Sequence, residues 1–318
     1  MNAKAETVGA DAIRSEIASL VTIRDVLRHA VSLYGEAGLH FGHGSATALD
    51  EAVFLILESL HLPIDDINPW LDARLTEREK TLLGGRIARR VAERVPAAYL
   101  TGRSWLGGLP FRCDARALVP RSYIAELFAS PLFDGSGAPG ALIADPQEVT
   151  SVLELCTGGG SLAILAARTF PNAAIDAIDI SADALSLAAE NVAEYGLEDR
   201  IALLKGDLFA PVAGRRYDLI IANPPYVGAE TMAALPAEFR HEPALALDGG
   251  EDGFDLVHRI LAGAAAHLNH GGALLCEIGD DAEVLEAHQP DLAFLWLDTE
   301  ASEGEVFWIG RDDLSQDR

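Results

Sequence analysis

The sequence predicts an α/β protein, a doubly wound and mostly parallel sheet preceded by a small helical domain. Three observations carry this. From Ser151 onward short apolar runs alternate with helix-spaced segments, the pattern of a doubly wound sheet. Between about residues 11 and 95, apolar positions recur at helical spacing without strand-like alternation. Asn223-Pro-Pro-Tyr226 directly follows an apolar run, at the carboxyl end of a strand, where open α/β sheets bind ligands.

Asp11–Ala30 carries Ile13, Ile17, Leu20, Val21 and Ile23 at roughly helical spacing and is expected to be one helix. Thr47–Leu60 follows, with Ser45 or Thr47 as its cap and Pro63 beyond its end. A third segment opens at Thr76, with Glu79 three residues on as a capping box, and runs to Val95. Trp105-Leu-Gly-Gly-Leu-Pro-Phe111 reads as a β-hairpin turning on glycine, within a linker from Tyr99 to Pro120. Phe128–Thr150 is rich in Gly, Ala and Pro and is expected to be a surface loop.

Ser151–Leu155, Ala174–Asp179, Ile201–Lys205, Tyr217–Ala222 and Gly272–Ile278 are the expected parallel strands. Leu162–Thr169, Ala182–Glu194 and Asp255–Leu268 are the helices between them. Leu292–Leu297 and Glu305–Ile309 close the sheet, one of them antiparallel because their connection is short. The expected domains are a helical, substrate-recognising one over 1–98, a hairpin linker over 99–120 and a catalytic one over 121–318.

Composition narrows the function. No apolar run among the 318 residues reaches the roughly 18 needed for a membrane helix. Met1-Asn-Ala-Lys-Ala-Glu6 lacks a basic-then-apolar leader pattern, so a cytoplasmic location with no membrane role is expected. Cys113, Cys156 and Cys276 are far apart, which argues against a disulfide framework and a zinc site. His40 and His43 come closest to ligand spacing, but their glycine-rich setting reads as a loop, and no metal is expected. The net charge of −25 points away from direct nucleic-acid binding, which needs a basic patch. It suits a cationic protein partner, or it serves solubility alone.

The chemistry of Asn223–Tyr226 is specific. The Asn side chain offers one carbonyl oxygen and one NH2 group. Pro224 and Pro225 have no N–H and a fixed φ, so the loop is stiff and its carbonyls are available as acceptors. Tyr226 adds an aromatic face. Such a loop suits a planar N–H-bearing group, either an amide or a nucleobase amine.

Glu154-Leu-Cys-Thr-Gly158-Gly159-Gly160 falls at a strand end and opens a helix, where glycines let a ligand approach the backbone. Asp179 ends the second strand, where a ribose-binding carboxylate belongs. Asp207 follows the third strand and is placed to accept a hydrogen bond from an adenine amine. Together they point to a nucleoside cofactor. Glu154 at the turn would repel a pyrophosphate, which favours S-adenosylmethionine over a dinucleotide.

Glu154–Gly160, Asp179, Asp207 and Asn223–Tyr226 resemble the motifs of Rossmann-like S-adenosylmethionine-dependent methyltransferases. With Glu242-Pro-Ala-Leu-Ala-Leu-Asp-Gly-Gly-Glu-Asp-Gly253, and a hairpin leading to Leu118-Val-Pro-Arg121, the chain is similar to the protein-glutamine methyltransferases over nearly its whole length. One branch of that family acts on the Gly-Gly-Gln glutamine of release factors, another on a glutamine of ribosomal protein uL3. Glu238-Phe-Arg-His-Glu-Pro243, His40-Phe-Gly-His-Gly-Ser45 with Asp50-Glu-Ala52, and Val119-Pro-Arg-Ser122 resemble the second branch. The release-factor branch has Pro-Arg-Pro-Glu-Thr-Glu where this chain has Pro120–Ala125. Gly159 stands where Ser is common in the branch, and Tyr123 where Pro is common.

The resemblance implies a seven-stranded Rossmann-like domain and S-adenosylmethionine as cofactor. Its contacts are then Glu154, Thr157, Gly158, Gly160, Asp179, Ile180, Asp207, Leu208 and Asn223. Asn223, Pro224, Pro225 and Tyr226 are the implied catalytic residues. Asn223, Pro224, Tyr226, Arg240, His241 and Arg121 are the implied contacts to a basic protein substrate, uL3. The alternatives are a release-factor methyltransferase, an adenine-N6 methyltransferase of DNA or RNA, and a non-enzymatic S-adenosylmethionine-binding protein.

Overall fold

The computed structural model describes residues 9–314, so the Met1–Glu6 segment lies outside it. Two compact units emerge. The first gathers the described residues up to Ser104 with Cys113–Ala115 and Pro236–His241. Trp105–Arg112, Arg116–Leu235 and the chain from Glu242 onward form the second.

Helices α1 (Ala10–Ser19), α2 (Ile23–Glu36), α3 (Ala48–Leu60), α4 (Glu77–Glu93) and α5 (Ala97–Thr101) build the first unit. The single helix expected over Asp11–Ala30 is two. Thr22 accepts the Asp25 N–H while Asp25 accepts the Thr22 N–H, a capping box that restarts the helix. Val21, which the spacing placed on the apolar face, is exposed at this break. The box at Thr76 and Glu79 is present as expected, and Thr47 caps α3.

Ile13, Ile17, Val26, Leu33, Leu55, Leu83 and Ile87 fill the core of this unit. Burying each such side chain contributes about 1.5–3 kcal/mol. Arg90, fully buried on α4, donates to Glu51 (2.6 Å), to the His40 carbonyl (2.8 Å) and to Glu238 (3.4 Å). Arg94 donates to the same Glu238 oxygen at 3.2 Å. The Phe239 ring lies 4.4 Å from that of His43 and 5.4 Å from that of His40. Thus Glu238 and Phe239, far along the chain, pack with the helices.

The second unit begins at Trp105, within the hairpin of β1 (Arg103–Leu106) and β2 (Leu109–Arg112), which turns on Gly107-Gly108. The hairpin is shorter than the linker drawn over 99–120, whose first residues are helix α5. After α6 (Ile124–Phe128), the main sheet alternates with helices: β3 (Ser151–Leu155), α7 (Ser161–Thr169), β4 (Ala174–Asp179), α8 (Ala182–Glu194), β5 (Ile201–Lys205) and β6 (Tyr217–Ala222). Then come α9 (Ala229–Ala234), α10 (Asp255–Ala264), β7 (Leu268–Glu277), α11 (Ala282–His288), β8 (Leu295–Leu297), β9 (Val306–Gly310) and α12 (Arg311–Leu314). The seven strands lie in the order β5-β4-β3-β6-β7-β9-β8. β3 to β7 pair in parallel, and β9 runs antiparallel to both β7 and β8.

Three further sequence expectations are corrected. Phe128–Thr150 is not only a surface loop, because Phe133 and Val149 are buried in the sheet's core. α10 ends at Ala264 rather than Leu268, and β7 starts at Leu268, four residues before its expected start.

Strand order reverses beside β3, which has β4 on one side and β6 on the other. Register then sets the site. Leu155 pairs with Ile178 and with Ala222, and Ala222 with Cys276. The next residues, Cys156, Asp179, Asn223 and Glu277, therefore emerge together at the carboxyl edge of the sheet, next to the point of reversal where such folds bind ligands.

Candidate active site

A cleft of about 710 Å³ opens at this edge. That volume suits a ligand of nucleoside size or somewhat larger. Gly158, Asp179, Ile180, Asp207, Leu208, Asn223 and Pro225 line it. Ala117 and Leu118 add an apolar wall, and Pro243, Leu245 and Ala246 another.

The turn after β3 is shaped by backbone geometry. Cys156 has φ 59°, and Gly158 and Gly160 have φ 54° and 80°. Left-handed backbone costs a residue with a Cβ roughly 1–2 kcal/mol, which explains glycine at two of these places. Gly159 needs no such freedom, and a Cβ there would meet its nearest atom at 3.5 Å, so the Ser common in the family would fit. Asn191, buried on α8, donates to the Gly159 carbonyl at 2.8 Å and fixes the turn from below.

Asp179 holds the turn from the side. Its Oδ2 accepts the Gly158 N–H and its Oδ1 the Ser181 N–H, both at 2.8 Å. Each oxygen keeps a lone pair for a hydroxyl in the cleft. Burial pushes the Asp179 carboxyl above the usual range. Asp207 is exposed and accepts from Arg259 on α10 at 2.7 Å. An incoming amine would share that carboxylate with Arg259.

Glu154 sits differently from a cleft contact. It is buried and accepts the Thr157 hydroxyl, and burial pushes its carboxyl up to about 8. Neither it, nor Thr157, nor Gly160 is among the lining residues. They support the turn that Gly158 presents.

Asn223 follows β6 directly. Its Nδ2 donates to the Arg121 carbonyl at 3.4 Å. This fixes the amide so that Oδ1 is left as the acceptor. Pro224 is buried and Pro225 lines the cleft. The ring of Tyr226 lies against Gly279, where a Cβ would come within 3.0 Å of it. Burial raises the Tyr226 phenol well above its ordinary value. Val227 is tied to the glycine-rich loop, donating to the Leu247 carbonyl and accepting the Gly249 N–H at 2.8 and 2.9 Å.

Arg121 meets the cleft lining through its carbonyl, which accepts from Asn223. It meets Glu242 through Nη1 and Nη2 at 2.7 and 2.8 Å, and Glu242 also accepts the Val119 N–H. Arg240 and His241 belong to the first unit, where His241 Nε2 lies 2.8 Å from the Glu93 carbonyl.

Sequence reasoning passed over Glu277. This buried glutamate at the end of β7 accepts the Ser122 hydroxyl and the Tyr123 N–H, and burial pushes it up to about 7. Its signal was a lone charge in the apolar run Leu274-Leu-Cys-Glu-Ile278. Tyr123 makes use of an N–H that a proline could not offer. Its phenol, bonded to Glu305, is pushed up to about 12, chiefly by burial. Arg259 was missed too, because its partner lies 52 residues away.

Residues 141–251 match the family model described as Methyltransferase small domain. The ribosomal protein uL3 glutamine methyltransferase of Bradyrhizobium diazoefficiens is 54% identical over 295 residues, covering 93% of this chain and 92% of that protein. The protein of the same name from Burkholderia pseudomallei is 52% identical over 300 residues, covering 92% and 95%. Among solved structures, a methyltransferase from Pyrococcus furiosus is 15% identical, covers 74% of this chain and 99% of its own, and superposes with a TM-score of 0.46. Identity above half along nearly the whole of both chains leaves one conclusion: the chain belongs to the ribosomal protein uL3 glutamine methyltransferase family.

Proposed function

We propose that this protein binds S-adenosylmethionine in the cleft at the end of β3, β4 and β6, and methylates the side-chain amide nitrogen of a glutamine in ribosomal protein uL3. The observation that carries the proposal is the orientation of Asn223, whose NH2 is engaged by the Arg121 carbonyl while its Oδ1 remains an acceptor.

The cleft fits the cofactor. The left-handed Gly158 turn lets a ligand lie against backbone, and Asp179 offers two carboxylate oxygens at the strand edge. Ile180, half exposed, gives a flat apolar surface beside it. Asp179 would take the ribose, the region of Asp207 and Leu208 the base, and the Gly158 turn the methionine part, with Glu154 and Thr157 supporting it from beneath. When bound, S-adenosylmethionine supplies an electrophilic methyl group on a sulfonium.

An amide nitrogen is a poor nucleophile because its lone pair is delocalised. Asn223 Oδ1 and the Pro224 carbonyl each accept one of the substrate N–H bonds. This would orient the nitrogen toward the methyl group the cofactor would supply, so that the N–C bond could form as the S–C bond breaks, with S-adenosylhomocysteine leaving and the surplus N–H proton passing to solvent. Positioning of this kind supplies at most about 7–11 kcal/mol of barrier reduction. As positive charge grows on nitrogen, the two oxygens are already aimed at its hydrogens, a preorganised electrostatic contribution. Tyr226, backed by Gly279, packs against the substrate amide. We assign recognition of the basic substrate to the helical unit, including Arg240 and His241, and to the acidic balance of the chain, in cytoplasm.

The test is to incubate the protein and labelled S-adenosylmethionine separately with uL3, a release factor and DNA, and to locate the label by mass spectrometry. Label on a uL3 glutamine is expected. Label on the release factor or DNA alone would overturn the assignment.

A further inference from the structure

Asp252, His258 and His288 converge at the surface of the second unit. Each offers one ligand atom, and the three atoms lie within 4.8 Å of one another. They come from three pieces of chain, the loop before α10, α10 itself and the last residue of α11. Asp252 is fixed from one side, since its Oδ1 accepts the Phe254 N–H at 2.9 Å. Its Oδ2 faces His288 Nδ1 at 3.6 Å. The His258 and His288 rings are 5.6 Å apart, and both flank the buried Phe254 ring. Gln289 Nε2 lies 3.3 Å from His258 Nδ1 and steadies that ring.

An exposed Asp–His pair alone stabilises the fold little. Two imidazoles with one carboxylate make a different object. This donor set suits zinc and similar borderline divalent cations, with water completing the coordination. Ligand atoms around a tetrahedral zinc sit about 3.4 Å apart. The Asp252–His288 pair is already near that spacing, and both side chains are exposed enough to close the remainder.

We propose that Asp252, His258 and His288 form a binding site for a zinc-class divalent cation that clamps the glycine-rich loop to α10 and α11. The loop matters to the cleft. Asp248, Gly249 and Gly250 line it, as do Asp255 and Arg259 of α10. A Cβ on Gly253 would come within 2.5 Å of the Tyr226 carbonyl, so the loop and the Asn-Pro-Pro-Tyr segment are packed backbone to backbone. A cation at this site therefore stiffens the wall that carries Tyr226, while taking no part in methyl transfer.

The experiment titrates zinc chloride into the full chain, first stripped with a chelator, against a chromophoric competing chelator, and follows the melting temperature. One equivalent bound in the micromolar range is expected, with a rise in melting temperature, because a ligand that binds only the folded state stabilises it. Asp252→Asn and His288→Ala, both exposed, should each weaken binding about tenfold or more and remove the thermal shift; His258→Gln should do the same. His270→Ala, an exposed histidine outside the group, should leave binding unchanged. Absence of binding up to millimolar zinc overturns the proposal. So does equal binding by the wild-type chain and all three variants.

Discussion

The Arg121 guanidinium meets the Glu242 carboxylate through two parallel hydrogen bonds, at 2.7 and 2.8 Å, and the carbonyl of that same Arg121 receives the amide of Asn223. Arg121, implied as a substrate contact, is thereby also placed to orient Asn223, the residue proposed as catalytic. Arg121→Ala should leave the buried Glu242 carboxylate without its guanidinium and destabilise the fold by about 3–5 kcal/mol. Glu242→Gln should cost less and lower kcat about tenfold or more, with cofactor affinity changed little. Chemical denaturation and steady-state kinetics read the two effects separately. Unchanged kcat in Glu242→Gln would remove the positioning role.

Asn223→Ala should abolish transfer and leave S-adenosylmethionine affinity within a few fold. In the proposed mechanism its Oδ1 would take the substrate amide, whereas the Gly158 turn and Asp179 would hold the cofactor. Equilibrium binding and single-turnover methylation check this. Retention of most activity would refute the role given to the side chain.

Stability should fall as pH rises from about 4.5 toward 8. Burial holds the Glu154 carboxyl up at about 8 in the fold, against an ordinary value near 4.3 in the unfolded chain. The folded state therefore binds the extra proton across this window and loses its advantage as that proton leaves. Glu277, raised to about 7, adds in the same direction over the lower part. Glu154→Gln should flatten the dependence, as measured by denaturant midpoints across the pH range. An equally steep curve in the variant would place the titration elsewhere.

Three adjacent glycines should respond differently. Gly158→Ala meets open space and should cost the left-handed backbone strain alone, about 1–2 kcal/mol. Gly160→Ala adds a Cβ 3.1 Å from the Ala188 Cβ and should cost more. Gly159→Ser has neither problem, since a Cβ there meets its nearest atom at an ordinary 3.5 Å, and should cost the least of the three. Thermal denaturation of the set gives the ranking directly.

The parallel strands were legible because each is a short, mainly apolar run, and the central strands β3 and β6 are almost wholly buried. Ser151–Leu155, Ala174–Asp179, Ile201–Lys205 and Tyr217–Ala222 have the same ends in sequence and structure. The strand-end residues Asp179 and Asn223 followed from those ends. Local hydrogen bonding hidden inside a periodic run was not legible, as with Thr22 and Asp25 interrupting the first helix. Long-range ion pairs were not legible either. Arg90 and Glu238 are 148 residues apart, and Arg121 and Glu242 are 121 apart, so nothing nearby in the sequence indicates the partner. For that reason Arg121 and His241 looked alike as substrate contacts, while the structure pairs Arg121 with Glu242 and sets His241 against the Glu93 carbonyl.

Glu238 and Phe239 impose an order on synthesis. Arg90 and Arg94 both donate to Glu238, and Phe239 lies against His40 and His43. Domains generally fold as units while the chain emerges, N-terminal parts first. Here the helical unit cannot complete its interior when its own last helix has been made. It must wait until residue 241 has left the ribosome, with Arg90 held by Glu51 and the His40 carbonyl in the interval. A nascent chain arrested before that point should carry a looser, protease-sensitive N-terminal part, and one arrested after it a closed one.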